Sequence, residues 1–376
     1  MKKVYKLLTV IGTRPEIIKM ARSISKFEKY FNHKLVHTGQ NYDYNLNEVF
    51  FKNLEIRKPD YFLNCAGSTS AQTIANVISK IEKVLIKEKP DAVAVYGDTN
   101  SCLSIITAKR LKIPIFHFEA GNRSYDLNVP EELNRKIVDH LSDINFVLTE
   151  HARRYLISEG INGSSIFKTG SFMPEIFNYY KQQIGKNRFI EKRKLKKYSY
   201  LVFSFHREEN IDNLNNLKEI IETINFLAEI KKFKILVSTH PRTRKQLKKI
   251  KKIKINSLIE FHKPFGFFDY INLQQNAFCT VSDSGTITEE SSILNFPAIT
   301  IRNSHERPEG MDSGVLIMSG LKKEKVLSAI EISVDAFKNK NSPYKISDYQ
   351  NLNVSDQISK IIFSYIEYVN RNTWKK

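Results

Sequence analysis

VYKLLTVIGTRPE occupies residues 4–16. It is an apolar run of eight residues that stops at Gly12 and passes directly into a helix start. Gly12 permits a tight turn and a close approach of backbone to a ligand. Thr13 can cap the following helix, and Pro15 suits its first turn. Ile17, Ala21, Ile24 and Phe27 then recur at helical spacing. Strand, glycine turn and helix in this order open a doubly wound α/β unit.

The pattern repeats along the chain. Residues 34–38 read as a second strand. Residues 91–96 (DAVAVY) form an apolar strand that ends at Gly97-Asp98-Thr99. Residues 113–118 end at Glu119-Ala120-Gly121, and 145–148 form another strand. Short apolar runs separated by helices predict a parallel sheet covered on both faces. The pattern stops at Thr169-Gly170-Ser171 and restarts. Residues 201–205 lead into His206-Arg207-Glu208-Glu209-Asn210. A long helix follows, with Leu217, Ile220, Ile221, Ile224 and Leu227 on one face. Strands at 235–238, 278–281 and 297–301 then end at Thr239-His240-Pro241, Ser282-Asp283-Ser284-Gly285 and Arg302. The expected organisation is an N-terminal Rossmann-like domain at 1–170, a C-terminal one at 171–353, and a last helix at 354–376 returning to the first. Open α/β sheets bind ligands beyond the carboxyl ends of their strands. Two such domains facing each other would place both sets of polar clusters in one interdomain cleft.

Composition narrows the function. The 376 residues carry 41% hydrophobic side chains, enough for two real cores. Lys and Arg number 59 against 40 Asp and Glu, a formal net charge of +19. The densest basic runs, 191–197 (EKRKLKK) and 245–254 (KQLKKIKKIK), lack interleaved aromatics and any nucleic-acid-binding signature. They read as solvated faces, not as a nucleic-acid surface. A positive field would still gather an anionic substrate. Cys65, Cys102 and Cys279 lie far apart. That spacing fits neither a disulfide framework nor a zinc site and points to a reducing cytoplasm. Lys6 interrupts the first apolar run, so a signal peptide does not fit, and no run of 18 apolar residues would insert in a membrane.

Two clusters are candidate anion sites, each with a plainer alternative: a capped helix start with a surface arginine for the first, and an N-capped helix with an acidic first turn for the second. Gly12 to Glu16 offers a helix N-terminus and the Arg14 guanidinium. Ser284, Gly285 and Thr286 can present N–H groups and hydroxyls to a pyrophosphate, with Glu290 one turn on to meet a ribose. The carboxylates Asp98, Glu119, Glu131 and Glu132 gather after strands of the first domain, and His206 and His240 follow strands of the second. Carboxylates partly removed from water at strand ends suit acid/base work. No HxxxH or similar ligand spacing calls for a metal.

These clusters resemble the motifs of the non-hydrolysing UDP-N-acetylglucosamine 2-epimerases. GTRPE stands at 12–16, GDT at 97–99 and EAG with its following arginine at 119–123. PEELNR stands at 130–135, HREE at 206–209, DSGTITEE at 283–290 and ERPE at 306–309. The resemblance implies a GT-B type fold of two Rossmann-like domains, a homodimer, and no metal or nicotinamide cofactor. It implies elimination of UDP to a 2-acetamidoglycal and re-addition after proton exchange at C2. Asp98, Glu119 and Glu131 match the acid/base carboxylates, and His206 assists at the departing phosphate. Arg14, Ser284, Gly285 and Thr286 fall at the pyrophosphate, Glu290 at the ribose, and the backbone near Tyr270 at the uracil. The family's double glycine is Gly285-Thr286 in this chain. Asn41 stands where the GlcNAc enzymes carry a histidine of their allosteric site. The stretches HTGQNYDYNLNEVFF, GDTNSCLS and EAGNRSYDLNVPEELNRKIVDH resemble the subgroup that converts UDP-2-acetamido-2,6-dideoxy-L-talose to UDP-N-acetyl-L-fucosamine for capsule and O-antigen. Within the family, the other pairs to weigh are UDP-GlcNAc/UDP-ManNAc and L-rhamnosamine/L-quinovosamine. Outside it stands a GT-B glycosyltransferase, which would need an acceptor pocket in place of the carboxylates.

Overall fold

A computed structural model describes residues 4–40, 50–127, 129–250, 254–304, 307–339 and 344–376. Asn41, Glu306 and residues 251–253 of the second basic run, singled out in the sequence, lie outside the described residues. The chain divides into two compact units: Met1–Asn178 with Gln350–Lys376, and Tyr179–Tyr349.

The first unit is built on seven strands: β1 (Lys6–Ile11), β2 (Asn32–His37), β3 (Tyr61–Phe62), β4 (Ala92–Tyr96), β5 (Ile115–Ala120), β6 (Ile144–Val147) and β7 (Ile166–Lys168). Their order is β3-β2-β1-β4-β5-β6-β7, and every pairing is parallel. The order reverses between β1 and β4, which makes that junction the topological switch point. Residues of β1 alternate across the sheet. Leu8 and Val10 join Val36, Val93 and Val95 against Ile81, Val84 and Leu85 of the helix Ser70–Glu88. The opposite face is aromatic: Phe27 of the helix Arg14–Tyr30 stacks on Phe118, which stacks on Phe146 at 5.0 Å. Full burial of each such ring contributes about 2–3 kcal/mol. The helix Val354–Val369 covers the helix Arg14–Tyr30, and Lys26 pairs with Asp356 at 2.8 Å.

The second unit holds β8 (Tyr200–Ser204), β9 (Lys234–Ser238), β10 (Ile259–His262), β11 (Cys279–Ser282), β12 (Ala298–Thr300) and β13 (Ile317–Met318). These are again all parallel, in the order β10-β9-β8-β11-β12-β13, with the reversal between β8 and β11. Leu217, Ile220, Ile221, Ile224 and Leu227 of the helix Leu214–Lys231 are all buried on its sheet. Asn213 caps that helix by accepting the Asn215 and Asn216 amides.

At the level of local elements the structure departs from the sequence expectation in three ways. It adds strands β3, β7, β10 and β13, which at two to four residues each carry too little apolar pattern to stand out. Strand β5 does not stop at Phe118. It runs to Ala120 through a register shift, with Glu119 at φ +62°. Thr13 precedes the helix Arg14–Tyr30, yet its hydroxyl caps no amide. It donates instead to Glu16 Oε1 at 2.9 Å.

Candidate active site

Three turns meet at the β1/β4 switch point. A Cβ on Gly12 would lie 2.0 Å from Ser101 Oγ and 2.2 Å from Thr38 Oγ1, so only glycine lets these turns close. Glu16 is buried at the centre. Its Oε2 accepts the Gly12 amide at 2.6 Å, and its Oε1 accepts the hydroxyls of Thr13 at 2.9 Å and Thr99 at 2.6 Å. Burial outweighs these hydrogen bonds and pushes the Glu16 carboxyl up to about 7.

Asp98 and Glu119 sit at the carboxyl ends of the adjacent strands β4 and β5, and each is held by a cation. Arg135 Nε and Nη2 both reach Asp98 Oδ2 at 2.7 Å, while Asn134 Nδ2 donates to the Asp98 carbonyl at 2.9 Å. Lys19 Nζ lies 2.6 Å from Glu119 Oε2, with the lysine side chain only 5% exposed. The Tyr96 hydroxyl donates to the same oxygen, and Asn122 Nδ2 lies 3.4 Å from Oε1. A left-handed φ at a bulky non-glycine residue is strained. Here it turns the Glu119 carboxylate toward the Lys19 ammonium.

Glu131 and Glu132, both in the first turn of the helix Pro130–Leu141, have different surroundings. Glu132 is fully buried and accepts the Ser124 amide and hydroxyl at 3.0 Å, the Tyr125 amide at 3.2 Å and Arg135 Nη1 at 2.9 Å. Burial opposes its charge, but the Ser124 amide and Arg135 outweigh it and hold the carboxyl below its ordinary value. Glu132 therefore anchors the 121–125 turn and orients Arg135 on Asp98. Glu131 is half-buried one position earlier.

Arg123, the arginine after Glu119-Ala120-Gly121, is not at an anion site. Its buried guanidinium pairs with Asp139 at 2.7 Å and Glu159 at 2.6 Å. His117 joins Asp139 at 2.9 Å and faces the Gly97 carbonyl at 2.8 Å, so this buried cluster braces the Gly97-Asp98-Thr99 turn from behind.

In the second unit Asp283 is the organising carboxylate at the β8/β11 switch point. It is fully buried and accepts the His206 and Arg207 amides at 3.0 Å and Asn210 Nδ2 at 2.9 Å. His206 Nδ1 stands 3.4 Å from Asp283, and its ring is 45% exposed. Gly285 precedes the helix Thr286–Leu294, and Ser284 Oγ pairs with Thr286 Oγ1 at 3.1 Å. Glu290, one turn in, accepts Gln274 Nε2 at 2.6 Å. Tyr270 lies on the helix Phe267–Asn276, with its ring parallel to Phe265. Burial, then the nearby Glu290, raises its phenol, with the Ser204 hydroxyl acting against them. Arg14 is half-buried beside the Phe50 ring. His240 caps the helix Pro241–Leu247 by accepting the Arg242 amide, which accounts for a histidine at that strand end.

Among the expected site residues of the first unit, the structure brings Asp98 and Glu119 onto neighbouring strand ends. In the second it brings His206, Ser284, Gly285 and Thr286 to the two turns flanking β8 and β11. Lys19, Arg135 and Gln274 carry as much of the geometry, yet sequence reasoning gives them no role. Lys19 gives no signal in the sequence: it stands off the stripe of Ile17, Ala21, Ile24 and Phe27, and the structure buries it against Glu119.

The family model described as UDP-N-acetylglucosamine 2-epimerase matches residues 24–363. The chain belongs to that family of isomerases. A solved UDP-N-acetylglucosamine 2-epimerase from Rickettsia bellii is 51% identical, with 99% of this chain and 100% of that one covered and a TM-score of 0.92. The Methanocaldococcus jannaschii UDP-GlcNAc 2-epimerase, solved in complex with UDP-GlcNAc and UDP, is 37% identical over 96% of this epimerase and 99% of its own chain, with a TM-score of 0.89. The family also spans other sugars. A Pseudomonas aeruginosa UDP-2,3-diacetamido-2,3-dideoxy-D-glucuronate 2-epimerase is 33% identical over 88% of this chain and 92% of its own. Among the described residues of this family member, no helix is long and apolar enough to cross a membrane.

Proposed function

We propose that this chain inverts C2 of a UDP-linked 2-acetamido sugar. The observation that carries the reading is the pair of cation-held carboxylates, Asp98 on Arg135 and Glu119 on Lys19, at adjacent strand ends of a UDP-N-acetylglucosamine 2-epimerase family member. Asp98, Glu119 and Glu131 supply the acid and base. One takes the C2 proton while the C2–H electron pair forms the C1=C2 bond and the C1–O pair leaves with UDP. Proton delivery to the other face of C2 and return of the UDP oxygen to C1 complete the inversion. The C2 hydrogen is weakly acidic, so charge developing on UDP must be stabilised as it leaves. His206, Arg14, Ser284, Gly285 and Thr286 take that part at the diphosphate, Glu290 meets the ribose, and the backbone near Tyr270 meets uracil. No metal or redox cofactor enters this route.

For the sugar, we take UDP-2-acetamido-2,6-dideoxy-L-talose to UDP-N-acetyl-L-fucosamine, on the strength of the stretches at 37–51, 97–104 and 119–140. UDP-GlcNAc is the second reading, favoured by the substrate bound in the M. jannaschii relative. The same resemblance supports a cytoplasmic homodimer that supplies capsule or O-antigen synthesis. Incubation with each UDP-sugar in deuterated water, followed by NMR, tests both the chemistry and the sugar. The true substrate acquires deuterium at C2, and free UDP with glycal accumulates on long incubation. A product that keeps its original C2 hydrogen would overturn the elimination route.

A further inference from the structure

Glu16 is the most deeply engaged carboxylate at the β1/β4 switch point, and the proposed chemistry leaves it without a task. It is 2% exposed. Both oxygens point inward, one onto the Gly12 amide and the other onto the Thr13 and Thr99 hydroxyls. The row continues beyond it. Thr99 Oγ1 lies 3.1 Å from Ser101 Oγ, which lies 3.1 Å from Thr38 Oγ1. One carboxylate thereby ties the turn that carries Arg14 to the turn that carries Asp98, with the end of β2 behind them. Arg135 and Asn134 hold Asp98 from the helix Pro130–Leu141. On the side facing β1, the bonds through Glu16 do so.

We infer that Glu16 is a positioning residue for Asp98, fixing the Gly97-Asp98-Thr99 turn against the Gly12 turn without itself meeting the substrate. The inference rests on the acid/base reading of Asp98. Thr99 has a single hydroxyl proton. When Glu16 is ionised that proton goes to Oε1, the shorter contact and the charged one. When Glu16 is protonated its own O–H can donate to Thr99, and the Thr99 proton is released toward Ser101. The state of Glu16 therefore sets the direction of the row beside Asp98. The charged and titratable groups around it are Asp98 on the β4 turn, the buried Cys102 thiol beyond that turn, and Arg14 and Lys19 on its own helix, with Arg135 behind Asp98. Burial pushes the Glu16 carboxyl up to about 7, so both states of the row are accessible near neutrality.

The test uses Glu16→Ala, Glu16→Gln, Thr99→Val and both double variants. It reads kcat, KM, UDP affinity by calorimetry, the pH–rate profile and amide exchange across residues 12 and 97–103. Misplacing a reacting group by about 1 Å costs about 100-fold. Glu16→Ala should accordingly lose about 10- to 100-fold in kcat, with a smaller loss of UDP affinity because Arg14 shares the clamped turn. Glu16→Gln can accept from Gly12 and donate to Thr99, so it should recover part of that loss. It cannot ionise, so its kcat should depend less on pH between 6 and 8 than that of the wild type. Thr99→Val added to Glu16→Ala should cost little more, because the two act through one bond. A folded Glu16→Ala with wild-type kcat, additive losses with Thr99→Val, or a wild-type pH profile in Glu16→Gln would each overturn the role. If Glu16→Ala does not fold, the Glu16→Gln profile and its cycle with Thr99→Val decide alone. Full turnover in Asp98→Asn would remove the acid/base reading beneath the proposal, whereas unchanged exchange protection at Gly12 in Glu16→Ala would remove only the clamp.

Discussion

His37 closes β2 with its ring stacked on Phe62 at 4.9 Å, and its Nδ1 accepts the Gly39 amide at 3.0 Å. Burial lowers its pKa to about 4. The unfolded chain therefore takes up this proton first, near pH 6.5. The neutral ring's contribution is complete above that pH and is lost as pH falls from about 6.5 through 4. A shift of this size corresponds to about 3 kcal/mol at most. Glu16 acts in the opposite sense: its raised pKa stabilises the fold as pH falls from about 7 toward 4.5. The His37 contribution is therefore isolated by comparison with His37→Asn, which still offers an acceptor. The variant should be less stable at pH 7.5 and lose less stability between pH 7.5 and 5 than the wild type, as measured by urea unfolding. Equal losses in the two proteins would show that His37 does not govern this pH range. At this scale the sequence is legible where a residue sits at a strand end, as Asp98 and Glu119 do. Glu16 and Lys19 escape because they are polar positions within a helix read by its apolar periodicity. Their partners, Thr99 and Glu119, come from 83 and 100 residues away.

The elements are legible in proportion to their length. The helix Val354–Val369 is expected from Ile358, Ile361, Ile362 and Tyr365. The structure buries Ile358 and Ile362 fully, together with Val354, Ile366 and Val369, and leaves Ile361 and Tyr365 half-buried at its edge. An i, i+4 row is thus the packed seam, and the helix is held on the first unit by that seam as well as by the Ser355 amide on Glu175 at 2.8 Å. Ile362→Ala should cost about 2–5 kcal/mol, and Ile361→Ala clearly less. Thermal unfolding of the two variants measures this, and equal losses would mean that the seam is misassigned. Strand β5 shows why short elements resist reading. Its periodicity ends at Phe118, and only the register shift and the left-handed Glu119 carry pairing on to Ala120. No pattern in the sequence marks a bulge that depends on the neighbouring strand.

For the molecule as a whole, the repeated strand-turn-helix grammar makes two parallel sheets legible, while the exact handover between units is not. The first unit runs to Asn178, past the glycine turn at 169–171 where the pattern pauses, because Met173, Ile176 and Phe177 are buried. The proposed roles divide between the units, and that division has a measurable consequence. Acid/base groups lie in the first unit, whereas Ser284, Thr286 and Glu290 lie in the second. Ser284→Ala and Glu290→Ala should each weaken UDP binding by about 5- to 50-fold, the loss expected when a hydrogen bond to a charged or polar ligand group is removed. Asp98→Asn and Glu119→Gln should leave UDP affinity within about threefold, yet lower kcat by about 100- to 10,000-fold, the range for loss of general acid/base catalysis. The net charge of +19 does not blur this contrast. A diffuse positive field acts on encounter and fades with salt, whereas the contacts proposed for Ser284 and Glu290 would act at short range and persist. Calorimetry at about 0.05 M and 0.3 M salt separates the two effects. If the Ser284 and Glu290 variants bind UDP as the wild type does at both salt concentrations, the nucleotide is held elsewhere. If Asp98→Asn loses UDP binding in step with turnover, the carboxylate serves the nucleotide and not C2.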